Sequence, residues 1–248
     1  MSYAPRQIFL GWDASQMRAW SVAAYSFRQH ATEALQINRI AMGELSIKGL
    51  YTRPTRFTQK GYWDVLSGAP MSTGHAIARF LVPSLCDYRG WALFTDGDVL
   101  AMDDLARLFA LADPSKAVQV VQHAHNPLET VKMTGAAQTT YARKNWSSVI
   151  LWNAGHEANR ALTVQMVNEL PGRDLHRFCW LDDALVGALP ARWNVLVGAE
   201  QCDDPGIVHF TEGVPDMPGY ERVPYAEDWY RTARAAGHKI YPPEERTA

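Results

Sequence analysis

Long apolar runs, cysteine and excess charge of either sign are all scarce here, and each shortage excludes something. No stretch of about 18 consecutive apolar residues occurs, so no membrane-spanning helix is expected. The only cysteines, Cys86, Cys179 and Cys202, are odd in number, far apart and without a Cys-x-x-Cys pair, which speaks against a disulfide framework. They read as buried or idle thiols in a reducing compartment. Lys and Arg total 24 against 26 Asp and Glu, a net charge of -2, and the basic residues are scattered. A nucleic-acid partner leaves a basic stripe, and there is none. The opening MSYAPRQIFLGWD also lacks a charged segment followed by an apolar run of signal-peptide length. A cytoplasmic protein is expected, with peripheral membrane association left open.

What is present suits a folded enzyme-sized domain. Hydrophobic residues make up 47% of 248, enough to bury a sizeable core. Ile8-Phe9-Leu10, closed by Gly11-Trp12-Asp13, reads as a buried first strand. Asp13 or Ser15 can cap a helix over 16–30. A second strand is expected over 37–45, an irregular excursion over 46–73, and a helix over 74–85 broken late by Pro83. A central strand at 91–94, a helix to 111 and a strand over 117–122 follow, then a polar loop over 123–144. Later come a strand over 146–152, helices over 158–170 and 180–189, strands over 193–197 and 206–210, and a helix over 226–236. The alternation favours α/β architecture, a mostly parallel central sheet with helices on both faces. One domain over 1–248 is expected, with 211–248 as a C-terminal extension rich in Pro, Gly and aromatics.

Chemistry concentrates in Leu93-Phe94-Thr95-Asp96-Gly97-Asp98-Val99-Leu100. An apolar strand runs into two carboxylates one residue apart, at the sheet end where α/β proteins bind ligands. Such carboxylates repel unless something positive lies between them, and a hard divalent cation is a natural neutraliser. Gly97 lets the backbone turn tightly. Asp-Gly-Asp is equally good chemistry for a plain turn. His209, at the end of the apolar run Ile207-Val208-His209-Phe210, can complete such a site or be an ordinary core histidine.

In their order along the chain, four segments resemble the family-8 glycosyltransferases, retaining enzymes of the GT-A fold. They are Ile8 to Asp13 with the helix after it, Ala78-Arg79-Phe80-Leu81-Val82-Pro83-Ser84-Leu85, the Asp96-Gly97-Asp98 stretch with its apolar lead-in, and Trp193-Asn194 followed by His209-Phe210. The likeness spans 8–213. It implies that Asp96, Asp98 and His209 bind Mn²⁺ (or Mg²⁺) against the diphosphate of a UDP-sugar. Gly11 and Trp12 would line the nucleoside pocket, and Asp13 would contact the nucleoside. Arg79, with Asp96 and Gly97, would contact the donor. Asp182 and Asp183 would lie beside the transferred sugar as catalytic carboxylates, although acids there can equally cap a short helix.

The chain departs from the family in three places. Thr211-Glu212-Gly213-Val214-Pro215-Asp216 stands where the family carries Gly-x-x-Lys-Pro-Trp. The work of that Lys then falls to Arg79, Lys132 or Arg143, or to the metal alone. Ser147 and Ser148 replace an Asn-x-Gly and are expected to supply sugar contacts. Asp182 stands where the family often has Gln. The implied activity is transfer of a hexose from a UDP-sugar to the hydroxyl of a glycan, lipid-linked or small-molecule acceptor, with retention. The alternative is a catalytically weak nucleotide-sugar binding module. A nucleotidyltransferase would need a glycine-rich basic loop after the first strand, and Gly11-Trp12-Asp13-Ala14-Ser15-Gln16 has one Gly and no Lys.

Among the remaining candidates, Arg53, Arg56 and Lys60 read as a solvated loop or a lid. Trp12, Trp63, Trp146, Trp152 and Trp180 read mostly as core, with stacking on base or sugar as the alternative. His123 and His125 read as exposed or cleft-lining.

Overall fold

Ile8, Phe9 and Leu10 are all buried, but they point to different cores. Phe9 packs on one face of the sheet with Phe94, Ile150 and Trp152, while Ile8 and Leu10 pack on the other with Leu93 and Leu151. That is the period of two of a strand covered on both sides.

The computed structural model describes residues 4–59, 61–123, 143 and 145–243. The chain runs β1 (Arg6–Gly11), α1 (Met17–His30), β2 (Leu35–Ile40) and α2 (Met42–Ile47). A meander follows: β3 (Thr55–Thr58), β4 (Gly61–Asp64) and β5 (Ala69–Met71). Then come α3 (Val82–Leu85), β6 (Trp91–Thr95), β7 (Val99–Ala101), α4 (Leu105–Phe109), β8 (Val118–Val121) and β9 (Val149–Asn153). The last elements are α5 (Val164–Glu169), α6 (Gly172–His176), β10 (Val186–Leu189), β11 (Val195–Leu196), β12 (Ile207–His209) and α7 (Ala226–Ala235).

The main sheet has the order β10-β8-β9-β6-β1-β2. Every neighbouring pair is parallel except the two made by β9, so the sheet is mostly parallel as expected. Ala23 and Phe27 of α1 and Leu105 and Leu108 of α4 cover one face; Phe80, Val82, Val167 and Leu175 cover the other. A second sheet, β11-β12-β7, grows directly out of the end of β6. Trp229, Tyr230 and Ala233 of α7 pack with Val208 and Leu100 of this sheet, with Phe210 just after it, and with Ala19 and Val22 of α1, so the segment after 211 helps close this part of the core.

Several expected elements are corrected. The strand over 37–45 ends at Ile40 and gives way to α2. The helix over 74–85 is a turn, a 3-10 segment (Ala78–Leu81) and α3, where Pro83 stands in the first turn. There its missing N–H costs nothing, so it starts a helix instead of breaking one. The helix over 180–189 is a 3-10 turn (Asp183–Leu185) followed by β10, which pairs with β8 at the sheet edge. A four-residue apolar run carries too little period to separate strand from helix. The strands over 146–152 and 193–197 each begin as 3-10 turns, and the helix over 158–170 is a 3-10 turn followed by α5. The loop over 123–144 lies outside the described residues apart from its two ends at 123 and 143.

The excursion over 46–73 is ordered rather than irregular. Its anchor is Arg53, which is buried instead of solvated. Arg53 donates from Nε and Nη2 to the two carboxylate oxygens of Asp64 (2.7 and 2.6 Å), and from Nη1 to the Val167 carbonyl (3.0 Å). Arg56 stays on the exposed side of β3, and Lys60 is outside the described residues.

Removing one partner of this buried pair strands the other charge. Asp64→Asn or Arg53→Ala should cost about 3–5 kcal/mol in urea unfolding. Burial alone would raise the Asp64 carboxyl, but hydrogen bonds from Arg53 and Ser67 and the Arg53 charge bring it below the usual range. Its contribution is therefore present above the unfolded carboxylate value, about pH 4, and is lost as pH falls through the lower folded value. Acid unfolding of Asp64→Asn should show a correspondingly shallower pH dependence.

Candidate active site

At the carboxyl end of β6 the chain bends through Asp96-Gly97-Asp98 into β7. The Asp96 N–H donates to the Ser148 carbonyl (2.9 Å), which ties the bend to the start of β9. Gly97 is required by crowding: a Cβ there would lie 2.3 Å from the Gly11 carbonyl oxygen. Gly11 is crowded too, since its own Cβ would fall 2.4 Å from the His75 ring. The two glycines and His75 thus stack where β1 and β6 end side by side.

β12 lies antiparallel to β7 with His209 opposite Val99, and the Phe210 N–H donates to the Asp98 carbonyl (2.9 Å). That register delivers the imidazole to the bend. His209 Nε2 is 3.2 Å from Asp98 Oδ1 and 3.9 Å from Asp96 Oδ2. One ligand atom from each of Asp96, Asp98 and His209 lies within 4.8 Å of the others. Asp98 Oδ1 is buried and, despite its nearness to His209, has no aligned hydrogen-bond donor among the described residues. Two carboxylates, one of them with an orphaned buried oxygen, and an imidazole nitrogen converge on one point and form a donor set that fits a divalent cation.

Asp96 is held from behind. Arg79 Nη2 reaches its Oδ1 at 2.7 Å and Nη1 its Oδ2 at 3.3 Å, while His75 Nε2 lies 3.0 Å from Oδ1. Arg79 is itself immobilised. It donates to the carbonyls of Ala76 (2.9 Å) and Ser147 (2.7 Å) and lies 4.9 Å over the Phe94 ring. Burial alone would raise the Asp96 carboxyl, but the Arg79 charge and the His75 contact outweigh it and hold the group far below the carboxylate range. For His209 burial disfavours the charged ring, yet the Asp98 carboxylate prevails and raises it. The cluster thus keeps Asp96 ionised, while the Asp98 carboxylate favours the protonated His209 ring.

The other expected residues divide. Asp13 is buried at the head of the site, and its oxygens accept from the Gly74 N–H (2.8 Å) and the Ser15 N–H (2.9 Å), so it caps the turn before α1 and pins the chain entering α3. Trp12 is half-buried beneath the Arg39 guanidinium, 4.9 Å from its ring. Ser147 and Ser148 are buried with their hydroxyls engaged: Ser147 Oγ meets His176 Nδ1 (2.7 Å), and Ser148 Oγ donates to the Asn145 carbonyl (2.7 Å). Asp182 and Asp183 are not joined to the cluster by any contact among the described residues. Both are exposed, Asp182 makes no side-chain cap, and Asp183 pairs with Arg143. Arg143 is thereby engaged at that turn, and Lys132 and His125 lie outside the described residues. His123 is buried, contrary to expectation. Trp152 is core as expected, whereas Trp63 is 37% exposed. The cysteines are free, with Cys179 exposed and the other two half-buried.

Sequence reasoning missed His75, His176 and Asn194 as members of the site. His75 stands four residues before Arg79, and that spacing was the available signal. Asn194 entered only within the Trp193-Asn194 segment of the resemblance, with no site role, and His176 carried no signal.

Comparison with known proteins fits this geometry. The chain is 38% identical over 231 residues to Protein CDI of Arabidopsis thaliana, covering 91% of this chain and 85% of that protein. The chain belongs to the Protein CDI family. No family model matches it. Its fold is that of glycosyltransferases of the GT-A type. The bifunctional glycosyltransferase WbbM aligns with a TM-score of 0.62 at 13% identity, covering 93% of this chain. GlyE of Streptococcus pneumoniae TIGR4 aligns at 0.59 and 15% identity over 92% of this chain. The galactosyltransferase LgtC, solved with donor and acceptor sugar analogs, aligns at 0.56 and 15% identity over 97% of this chain and 99% of its own. The chain spans about half of WbbM (50%) and 60% of GlyE. At these identities the likeness is one of fold.

A methyl group at Gly97 must push the β1 terminus away. Gly97→Ala should therefore lower stability by about 1–3 kcal/mol and loosen the Asp96–Asp98 bend. Gly43→Ala in α2, where a Cβ meets nothing within 4 Å, should be neutral or stabilising by up to about 1 kcal/mol. Thermal melts of the two variants provide the comparison.

Proposed function

We propose that this chain is a metal-dependent glycosyltransferase of the family-8 kind, moving a hexose from a UDP-sugar to an acceptor hydroxyl with retention of configuration. The observation that carries the reading is the convergence of Asp96, Asp98 and His209 at the carboxyl end of β6 within a glycosyltransferase fold. Asp96, Asp98 and His209 would hold Mn²⁺ or Mg²⁺. Such a cation supplies charge stabilisation to a diphosphate leaving group, more in the transition state than in the ground state.

The chain's own residues arrange the rest. Arg79 and His75 fix the Asp96 carboxylate, so the ligand geometry is set before donor arrives. Arg79 also brings a fixed positive charge to a site whose sequence has no Lys in the 211–216 run that follows His209. Gly11 and Trp12 would line the nucleoside pocket, and Gly97, packed on the Gly11 carbonyl, would contact the donor. Asp13 would shape that pocket through its hold on Gly74 and contact the nucleoside at its edge. Ser147 and Ser148 would serve the donor sugar indirectly, since their hydroxyls already have internal partners. Asp182 and Asp183, on the exposed turn before β10, would act from the acceptor side, where negative charge can stabilise a sugar with oxocarbenium character. The acceptor would be a glycan, a lipid-linked sugar or a small molecule, and the work would take place in the cytoplasm or at the membrane periphery. Among the described residues no helix is long and apolar enough to cross a membrane.

The missing Lys favours a second reading, a nucleotide-sugar binding module with weak catalysis. Calorimetry of UDP with and without Mn²⁺, paired with hexose-transfer assays across several UDP- and GDP-sugars, separates the two. The transferase reading expects metal-dependent UDP binding and turnover, with Asp98→Asn or His209→Ala lowering the rate about 10²- to 10³-fold. Tight binding with no transfer from any donor supports the module. UDP binding that ignores both the metal and Asp96→Asn contradicts both readings.

A further inference from the structure

We propose that Asn194 is a positioning residue, its side-chain amide turning the His209 ring so that Nε2 presents its lone pair to the cation between Asp96 and Asp98. This rests on the metal reading above. Asn194 is fully buried in the turn before β11. His209 Nδ1 lies 3.1 Å from its Oδ1. Its Nδ2 reaches two groups, His123 Nε2 and Ser148 Oγ, each at 2.9 Å. One amide thus ties together β12, the end of β8 and the start of β9.

Two separate anchors fix which way that amide faces. Ser148 Oγ spends its hydrogen on the Asn145 carbonyl, so it can only accept from Asn194, which requires Nδ2 on that side. Independently, His123 Nδ1 lies 2.8 Å from Glu200 Oε1, a carboxylate that only accepts. Nδ1 of His123 must therefore carry the hydrogen, and burial keeps that ring from charging easily. Its Nε2 is then the acceptor, and again Nδ2 of Asn194 must face it. Glu200 is held in turn by the Leu196 N–H on its other oxygen (3.1 Å).

With Nδ2 committed twice, Oδ1 is left for His209, and an amide oxygen only accepts. His209 Nδ1 therefore carries a hydrogen and donates it. The nitrogen turned toward the two carboxylates is Nε2, and in the neutral ring it is the one with the lone pair. Second-sphere partners of ligating histidines commonly fix the ring in this way, and their loss weakens metal binding about 10- to 100-fold. Here the partner is a neutral amide, with the carboxylate two links further back.

The test combines a metal titration with nitrogen NMR. Calorimetric affinity for Mn²⁺ should fall about 10- to 100-fold in Asn194→Ala. It should stay close to that of the unaltered protein in Asn194→Asp, which keeps an oxygen for His209 but loses the contacts to His123 and Ser148. A purely structural Asn194 would make both variants equally poor. In metal-free protein labelled with ¹⁵N-histidine, His209 Nδ1 should give the signal of a protonated nitrogen at neutral and alkaline pH. An unprotonated Nδ1 overturns the proposal even if Asn194→Ala fails to fold. Unchanged Mn²⁺ affinity in Asn194→Ala overturns the role of Asn194 alone. Absence of Mn²⁺ binding by the unaltered protein overturns the cation reading itself.

Discussion

Val99–Ala101 and Ile207–His209 lie side by side in antiparallel register, and this short ladder joins parts of the chain more than a hundred residues apart. The Phe210 N–H on the Asp98 carbonyl closes its end. Shifting the register by one residue would turn His209 to the opposite face and away from the carboxylates. The ladder is short, so what holds its register is burial: Val99, Leu100, Ala101, Ile207 and Val208 are all fully or nearly fully buried. Leu100 and Val208 face the cluster built with α1 and α7, whereas Val99, Ala101 and Ile207 face the main-sheet core. The C-terminal segment thus supports the site from behind, without supplying any of the ligands described.

Around that ladder, most polar side chains have internal partners. Arg79, His75, Asp13, Ser147, Ser148 and Asn194 all have internal partners, so each restrains another group. Three buried atoms beside the bend have no aligned partner among the described residues: His75 Nδ1, Thr95 Oγ1 and Asp98 Oδ1, and of these Asp98 Oδ1 is the carboxylate oxygen. A buried carboxylate oxygen in that state is costly unless a ligand completes it. The unmet demand of Asp98 falls at the position facing His209.

Much of this was legible in the sequence. The carboxylate bend after an apolar strand located the sheet end, and the histidine ending another apolar run proved to be its neighbour. β1, α1, β6, β8 and α7 followed from apolar period and capping residues. The failures have physical causes. Val186–Leu189 is too short to show a period, and Pro83 has opposite meanings at the start and inside of a helix. The meander over 55–71 is organised by the long-range Arg53–Asp64 pair, which no local pattern announces. Within the site, Gly97 was legible as necessary, but the reason is contact with Gly11, a tertiary fact. Asp182 and Asp183 matched a family position by order along the chain, and order does not fix where a side chain points. His176 carries no sequence signal, and Asn194 stood out only as part of the Trp193-Asn194 segment, because the importance of both lies in the partners that folding brings them.

The most direct test of the central claim is pulsed EPR of the protein titrated with Mn²⁺. One tightly held Mn²⁺ per chain, showing ¹⁴N coupling from a directly bound imidazole that disappears in His209→Ala, is the expected result. Mn²⁺ bound without nitrogen coupling, or bound equally well by His209→Ala, would contradict the joining of Asp96, Asp98 and His209 into one metal site.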